Sequence, residues 1–298
     1  MNALQDDLLA VFGIDLPVPS LSETLVATVV DDTSCLAQYL QLRAETGEPI
    51  RAIWCRPHGH AGRVPAVLIL HAHGNRYDIG ATEVIDGRPA LFAPTGRALA
   101  ARGIASLCLD MPGFGSRAGQ TESALAKALL WEGGSLAGQM LAENIAALDW
   151  LAAQPDVHAD RIGVFGLSMG ATLAYWLGAL DQRLRAVAHE CCFADFRRLI
   201  ALGQHDLHGI YLTVPGLLRC ASNGQIAAAI APRAQFIGLG DQDPLTPPAA
   251  ANPALAEVRT AYAQHGGRLV IHREPDAGHV ETKAMHLAML DFMTSALA

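Results

Sequence analysis

The stretch Arg161-Ile-Gly-Val-Phe-Gly-Leu-Ser-Met-Gly-Ala-Thr-Leu-Ala-Tyr-Trp176 constrains the fold more tightly than any other part of the chain. A β-branched, apolar run (Ile162, Val164, Phe165) leads directly into Gly166-Leu-Ser-Met-Gly170, and a helical run, Ala171 to Leu180, follows at once. Gly-x-Ser-x-Gly between a strand and a helix sets the serine on a sharp corner with its hydroxyl exposed above a sheet. Glycines at both ends of the turn leave no Cβ atoms to crowd that corner. The helix starts at the serine, so its free N–H groups and positive dipole end face any anion forming there. Ser168 is therefore a candidate nucleophile. The plain alternative is a glycine-rich turn without chemistry, and the rest of the chain has to supply partners before the first reading stands.

Around this corner the sequence alternates between strand and helix. Val64-Pro-Ala-Val-Leu-Ile-Leu70 and Ile104 to Leu109 are continuously apolar, as strands covered on both faces should be. Helices are expected around Phe92 to Ala101, Ser135 to Ala153 and 169–180, then a strand at Ala186 to His189. Residues 196 to 231 read as irregular and helical. The last units are strand Gln235 to Leu239, helix Pro253 to His265, strand Arg268 to His272 and helix Glu281 to Leu297. Such alternation predicts a doubly wound α/β fold, a mostly parallel sheet with helices on both faces. Ahead of it, residues 1 to 20 suggest a short helix with a Pro-containing lead-in. Strand-like runs at Thr24 to Val30, Cys35 to Arg43 and Ile50 to Arg56 suggest N-terminal antiparallel strands, with Gly47-Glu-Pro49 turning between two of them. Without repeats or linkers, 1–298 is expected to form one domain. Residues 1–60 are its N-terminal extension, and 112–135 and 193–225 are candidate cap or pocket-wall segments.

A chain of 298 residues with 51 % hydrophobic and 17 % charged residues can bury a large core and is not expected to be disordered. Its net charge of −8, without a basic cluster, argues against nucleic acid or an anionic membrane as partner. The first residues carry acids where a signal peptide needs a basic segment, and no apolar run approaches the roughly 18 residues of a membrane span. The six cysteines show no Cys-x-x-Cys spacing and read as buried free thiols, which suggests a cytoplasmic protein.

A serine hydroxyl needs a base within hydrogen-bond reach, and the base needs an orienting acid. On this fold both belong at the carboxyl ends of later strands, in the order Ser, Asp/Glu, His. Phe236-Ile-Gly-Leu-Gly-Asp-Gln-Asp-Pro-Leu-Thr-Pro247 runs from a strand into a loop with two aspartates, Asp241 and Asp243, and spacing alone does not choose between them. Turn capping is the ordinary role of either. Val270-Ile-His-Arg-Glu-Pro-Asp-Ala-Gly-His-Val280 places His279 in the loop after the last strand, the candidate base. An oxyanion formed at Ser168 would need two N–H donors. One is the main chain of Met169; the other falls in His71-Ala-His-Gly-Asn75, with His73 and Asn75 as candidates. The pairs His58/His60, His71/His73 and His205/His208 have no carboxylate or cysteine at metal-site spacing, so no metal is expected. Glu190 is a candidate for the pocket, with a hydrogen-bonded carboxylate at a strand end as the equal alternative. Trp131, Phe193, Phe196, Tyr211 and Leu212 are further candidates, and core packing is the ordinary role of such side chains.

From about Val64 onward the chain resembles the α/β-hydrolase superfamily, in particular its acetyl-xylan-esterase-like and dienelactone-hydrolase-like branch. The resemblance rests on Leu70-His-Ala-His-Gly74, Asp110-Met-Pro-Gly-Phe-Gly-Ser-Arg117, Ala147-Leu-Asp-Trp-Leu-Ala-Ala-Gln-Pro-Asp-Val157 and Asp160-Arg-Ile-Gly-Val-Phe-Gly-Leu-Ser-Met-Gly170. It continues through Ala179-Leu-Asp-Gln-Arg-Leu184, Ile230-Ala-Pro-Arg233 and Gly240-Asp-Gln-Asp243. It implies that Asp243, rather than Asp241, is the acid and that His73 supplies the second oxyanion N–H, although Ala72 stands where that loop usually has glycine. It also implies a serine esterase acting on a small-molecule carboxylic ester through an acyl-enzyme, without a cofactor. An amidase, peptidase or carbon–carbon hydrolase could use the same triad, and a non-catalytic binding protein could use the same scaffold.

Overall fold

Nine strands form one sheet: β1 (Leu21–Val30), β2 (Cys35–Ala44), β3 (Ile50–Pro57), β4 (Val64–Leu70), β5 (Ala105–Leu109), β6 (Val157–Leu167), β7 (Leu184–Glu190), β8 (Ala234–Gly240) and β9 (Leu269–Glu274). Their order across the sheet is β1-β2-β3-β5-β4-β6-β7-β8-β9. The computed structural model of the protein describes residues 3–30, 35–44, 47–60 and 62–298. Strands β1, β2 and β3 pair antiparallel, and β3 joins β5 antiparallel. From β5 to β9 every pairing is parallel. The N-terminal strands expected from the sequence are thus an antiparallel edge added to a parallel sheet.

The parallel strands are buried on both faces, and their residues divide by the two-residue period of a strand. In β4, Ala66, Leu68 and Leu70 enter one core with Met140, Leu141, Leu173 and Val258. Val67 and Ile69 enter the other, with Leu99, Met289 and Phe292. Helices Leu136–Ala152, Met169–Leu180 and Pro248–His265 cover the first face, and Thr95–Ala100 and Lys283–Ala296 the second. The N-terminal helix, Ala3–Phe12, joins the first face, where Phe12 lies 5.0 Å from the ring of Trp176, centre to centre.

Several boundaries differ from the sequence reading. Strand β6 begins at Val157, because Val157 pairs with Val64 before the register shifts. The helix expected from Pro253 begins at Pro248 and carries Pro253 in its second turn. Proline favours the start of a helix, which is why the sequence points to the wrong one of the two. The 112–135 segment holds an unexpected helix, Glu122–Trp131, capped by the Thr121 hydroxyl, which accepts the Ala124 N–H at 3.2 Å. The irregular 196–231 region resolves into short helices at Phe196–Leu202, Leu217–Cys220 and Asn223–Ala228 and tight turns at His205–Leu207 and Ile210–Leu212.

Chain direction places the site. From β4 the chain crosses to β5 on one side, and from β6 it crosses to β7 on the other. Such a reversal opens a crevice beyond the carboxyl ends of the two neighbouring strands. The loops leaving that crevice are 71–75 and the turn at Ser168.

Candidate active site

The turn at Ser168 is as tight as its glycines imply. Ser168 has φ 58° and ψ −118°, a conformation that costs a non-glycine residue energy and is retained where function needs it. A Cβ at Gly166 would lie 2.1 Å from the Gly170 carbonyl carbon, and one at Gly170 would lie 1.8 Å from the Leu70 carbonyl oxygen. The corner is held against the sheet by the Ser168 N–H, which donates to the Glu190 carbonyl at 2.9 Å. Ser168 remains slightly exposed, at 7 %.

Three residues from three strand ends meet at that serine. His279 Nε2 lies 2.8 Å from Ser168 Oγ, and His279 Nδ1 lies 2.8 Å from Asp243 Oδ2. Asp243 is buried and fixed by its own loop: the Leu245 N–H donates to Oδ1 at 2.8 Å and the Thr246 hydroxyl to Oδ2 at 2.9 Å. Asp241, two residues away, points elsewhere and pairs with Arg273 at 2.6 Å, both side chains being part-exposed. A Cβ at Gly240 would collide with the Ala277 carbonyl oxygen at 2.4 Å, so glycine there lets the aspartate loop approach the histidine loop.

On the β4 side, His71 is buried between main-chain partners. Its Nδ1–H donates to the Ala72 carbonyl at 3.1 Å and its Nε2 accepts the Met111 N–H at 3.1 Å. Burial lowers its pKa to about 4, so this imidazole is neutral. His73 accepts the Asn75 N–H on Nδ1 at 3.0 Å, which leaves Nε2 protonated and donating to Glu122 Oε2 at 2.9 Å. Its ring stacks on Tyr211 at 5.5 Å. Glu122 also accepts from the Tyr77 hydroxyl and the Tyr211 N–H, each at 3.0 Å. Burial pulls the Glu122 pKa up, but the hydrogen bonds from His73, Tyr211 and Tyr77 outweigh it and hold it below the usual range. Among the described residues, neither the His73 nor the Met169 main-chain N–H has an acceptor within the protein. The Asn75 N–H is engaged with His73 and is not free to act as a donor.

Three pocket candidates lie elsewhere. Glu190 is fully buried below the elbow, where burial and the nearby Glu281 carboxylate push its pKa well up. It sits at the end of β7 facing Gly238 and Met285, because the alternation of that strand turns it away from the face that carries the helix Met169–Leu180. Phe193 is fully buried against Tyr175 and His189 and belongs to the core. Trp131 stands 89 % exposed at the end of its helix, in solvent rather than in a pocket. Tyr211 is buried behind His73, and Asn75 is exposed beside it. Glu122 was not singled out by sequence, although Thr121-Glu122 is a readable start of a helix.

Asp110 and Arg233, in two of the motifs that carry the resemblance, hold the structure together. Asp110 receives the Ala81 and Ser116 N–H groups, each at 2.7 Å, and pairs with Arg51 at 2.8 Å. Arg233 donates to the Asp181 carbonyl at 2.8 Å and the Leu184 carbonyl at 3.0 Å, tying β7 to β8. Among the described residues there is no group of three or more side chains able to hold a metal ion, and no helix is long and apolar enough to cross a membrane.

The strand order and the serine corner define the class: the protein is an α/β-hydrolase. It is similar in structure to acetyl xylan esterase 1 from Thermoanaerobacterium sp. JW/SL YS485, at 18 % identity and a TM-score of 0.65, over 99 % of this chain and 93 % of that one. A glucuronoyl esterase from Solibacter usitatus is similar at 16 % identity and a TM-score of 0.70, over 98 % and 91 %. More specifically, the chain belongs to the X-Pro dipeptidyl-peptidase (S15) family, whose pattern matches residues 47–263. It is also 34 % identical over 263 residues to "Putative hydrolase YtaP" of Bacillus subtilis (strain 168), covering 87 % of each chain.

Proposed function

We propose that the protein is a serine esterase that cleaves a small carboxylic ester in the cytoplasm through an acyl-enzyme. The observation that supports this most is the relay from Ser168 Oγ through His279 to Asp243, two contacts of 2.8 Å each. In this reading the Ser168 oxygen attacks the carbonyl carbon while its proton passes to His279 Nε2. Asp243 holds the tautomer with the proton on Nδ1 and stabilises the imidazolium. The main-chain N–H groups of Met169 and His73 donate to the oxyanion. Collapse breaks the bond to the alcohol oxygen, which takes the proton from His279. Water, deprotonated by His279, then releases the acid and restores Ser168.

The family description favours a second reading, removal of an X-Pro dipeptide from a peptide. A carboxylate facing Ser168 would be the natural partner of the substrate ammonium group if that group were buried. Both Glu122 oxygens are engaged by His73, Tyr77 and Tyr211, both Asp243 oxygens are engaged, and Glu190 is buried behind the turn. These arrangements support the ester.

Hydrolysis of p-nitrophenyl acetate and of Gly-Pro-p-nitroanilide by the same preparation tests the choice. Ester cleavage that Ser168→Ala lowers by at least about 1,000-fold is expected. Cleavage of the anilide with the ester left intact would favour the peptidase, and full ester activity in Ser168→Ala would remove Ser168 from the mechanism.

A further inference from the structure

The segment after β7 lines an open pocket of about 490 Å3. Phe196, Leu199, Leu212, Val214 and Leu217 make its apolar walls, and His205, Asp206 and His208 line its polar rim. That size and lining suit a small organic group. Ser168 does not line the cavity; His208 links the two. The His208 ring donates through Nε2 to the Leu245 carbonyl at 3.0 Å, and the Leu245 N–H in turn donates to Asp243 Oδ1 at 2.8 Å. Tyr211, in the neighbouring turn, does not line the cavity and stacks on His73. The cavity therefore adjoins the acid–histidine side of the site.

In ester cleavage by such a relay, the histidine hands its proton to the leaving oxygen, so the alcohol lies on the histidine side. Building on the esterase reading, we propose that this cavity receives the alcohol part of the substrate, and that this alcohol is apolar. As the bond between carbonyl carbon and alcohol oxygen breaks, the oxygen takes the His279 proton, and the free alcohol leaves from the cavity while the acyl group stays on Ser168.

Two substrate series test the assignment: acetates of alcohols from ethanol to octanol, and ethyl esters of acids from acetic to octanoic. Along the first, kcat/KM should rise about two- to fourfold per methylene until the cavity is full. Along the second it should stay within about threefold, because added acyl carbons gain no matching burial. Val214→Trp fills the cavity and should lower the ratio of octyl to ethyl acetate kcat/KM about tenfold or more. Should thermal unfolding show that Trp at 214 prevents folding, Leu212→Phe gives the same readout. A rise along the acyl series instead, a flat alcohol series, or a ratio unmoved by the folded variant overturns the cavity's role while leaving the esterase reading in place. Cleavage of none of these esters overturns the esterase reading itself.

Discussion

His73 Nε2 donates to Glu122 Oε2 at 2.9 Å, and through Glu122 the loop after β4 is tied to the 112–135 and 193–225 segments at once. Glu122 belongs to the helix Glu122–Trp131, and its other oxygen holds the Tyr211 N–H at 3.0 Å in the turn Ile210–Leu212. The proposed oxyanion donor on His73 is thereby positioned by a carboxylate whose oxygens are engaged by His73, Tyr77 and Tyr211. Displacing a catalytic group by an ångström can cost about 100-fold in rate. Glu122→Ala is expected to lower kcat on a p-nitrophenyl ester about 10- to 100-fold with a much smaller change in KM. Glu122→Gln keeps an acceptor and should recover part of the loss. An unchanged kcat in the alanine variant would separate His73 from oxyanion binding.

The elbow leaves no freedom at Gly170. A methyl group there meets the main-chain oxygen of Leu70 at 1.8 Å, and neither backbone can move without disturbing β4 or β6. Gly170→Ala should therefore cost at least about 4 kcal/mol or prevent folding. Gly119, which has open space around its Cβ position, should accept alanine within about 0.5 kcal/mol. Thermal unfolding of the two variants measures the contrast, and equal stability would mean that the turn relaxes far more than its packing suggests.

What the sequence reveals about this site depends on whether a role is set locally or by packing. The Ser168 corner is local: strand period, two glycines and a helix start stand within one short stretch, so the candidate nucleophile and the sheet direction are both legible. Order along a doubly wound sheet brings Asp243 and His279 within reach of it. The choice between Asp243 and Asp241 is not local, because it depends on which carboxylate the loop turns toward His279 and which toward Arg273. Glu122 and His208 act across 49 and 37 residues of chain, through contacts to His73 and Leu245 that no period or spacing announces. Trp131 and Phe193 fail for the opposite reason: an aromatic in a wall segment can face solvent or core equally well, and these two do so.

Two buried histidines should make the protein acid-sensitive. Burial lowers the pKa of His71 to about 4 and that of His189 to about 3. Both remain neutral in the folded chain while the unfolded chain binds protons below pH about 6.5, so stability falls as pH drops from about 6.5 toward those values. The loss levels off below them. The depression at His71 alone corresponds to on the order of 3 kcal/mol. His189 lies between Gln235, which donates to its Nε2 at 3.0 Å, and the rings of Tyr175 and Phe193. His189→Gln cannot take up a proton in that range, and its unfolding free energy should fall less steeply between pH 7 and 4 than that of the parent. Parallel curves for the two proteins would show that His189 does not carry its share of the acid sensitivity.

Asp243 and Asp241 stand two residues apart and should differ by orders of magnitude in consequence. Asp243 is buried, and His279 Nδ1 lies 2.8 Å from its Oδ2, so an asparagine there offers that nitrogen an amide in place of a charge. The imidazole then loses both its preferred tautomer and the partner of its charged form. Asp243→Asn should lower kcat about 10,000-fold at neutral pH while the protein stays folded. Asp241 pairs with Arg273 where both side chains meet solvent, and such pairs contribute about 0–1 kcal/mol. Asp241→Asn should therefore leave kcat within about threefold of the parent. Steady-state kinetics on one p-nitrophenyl ester decides the matter. A large loss in Asp241→Asn with a small one in Asp243→Asn would transfer the acid's role to the exposed residue and require the loop to turn over in solution.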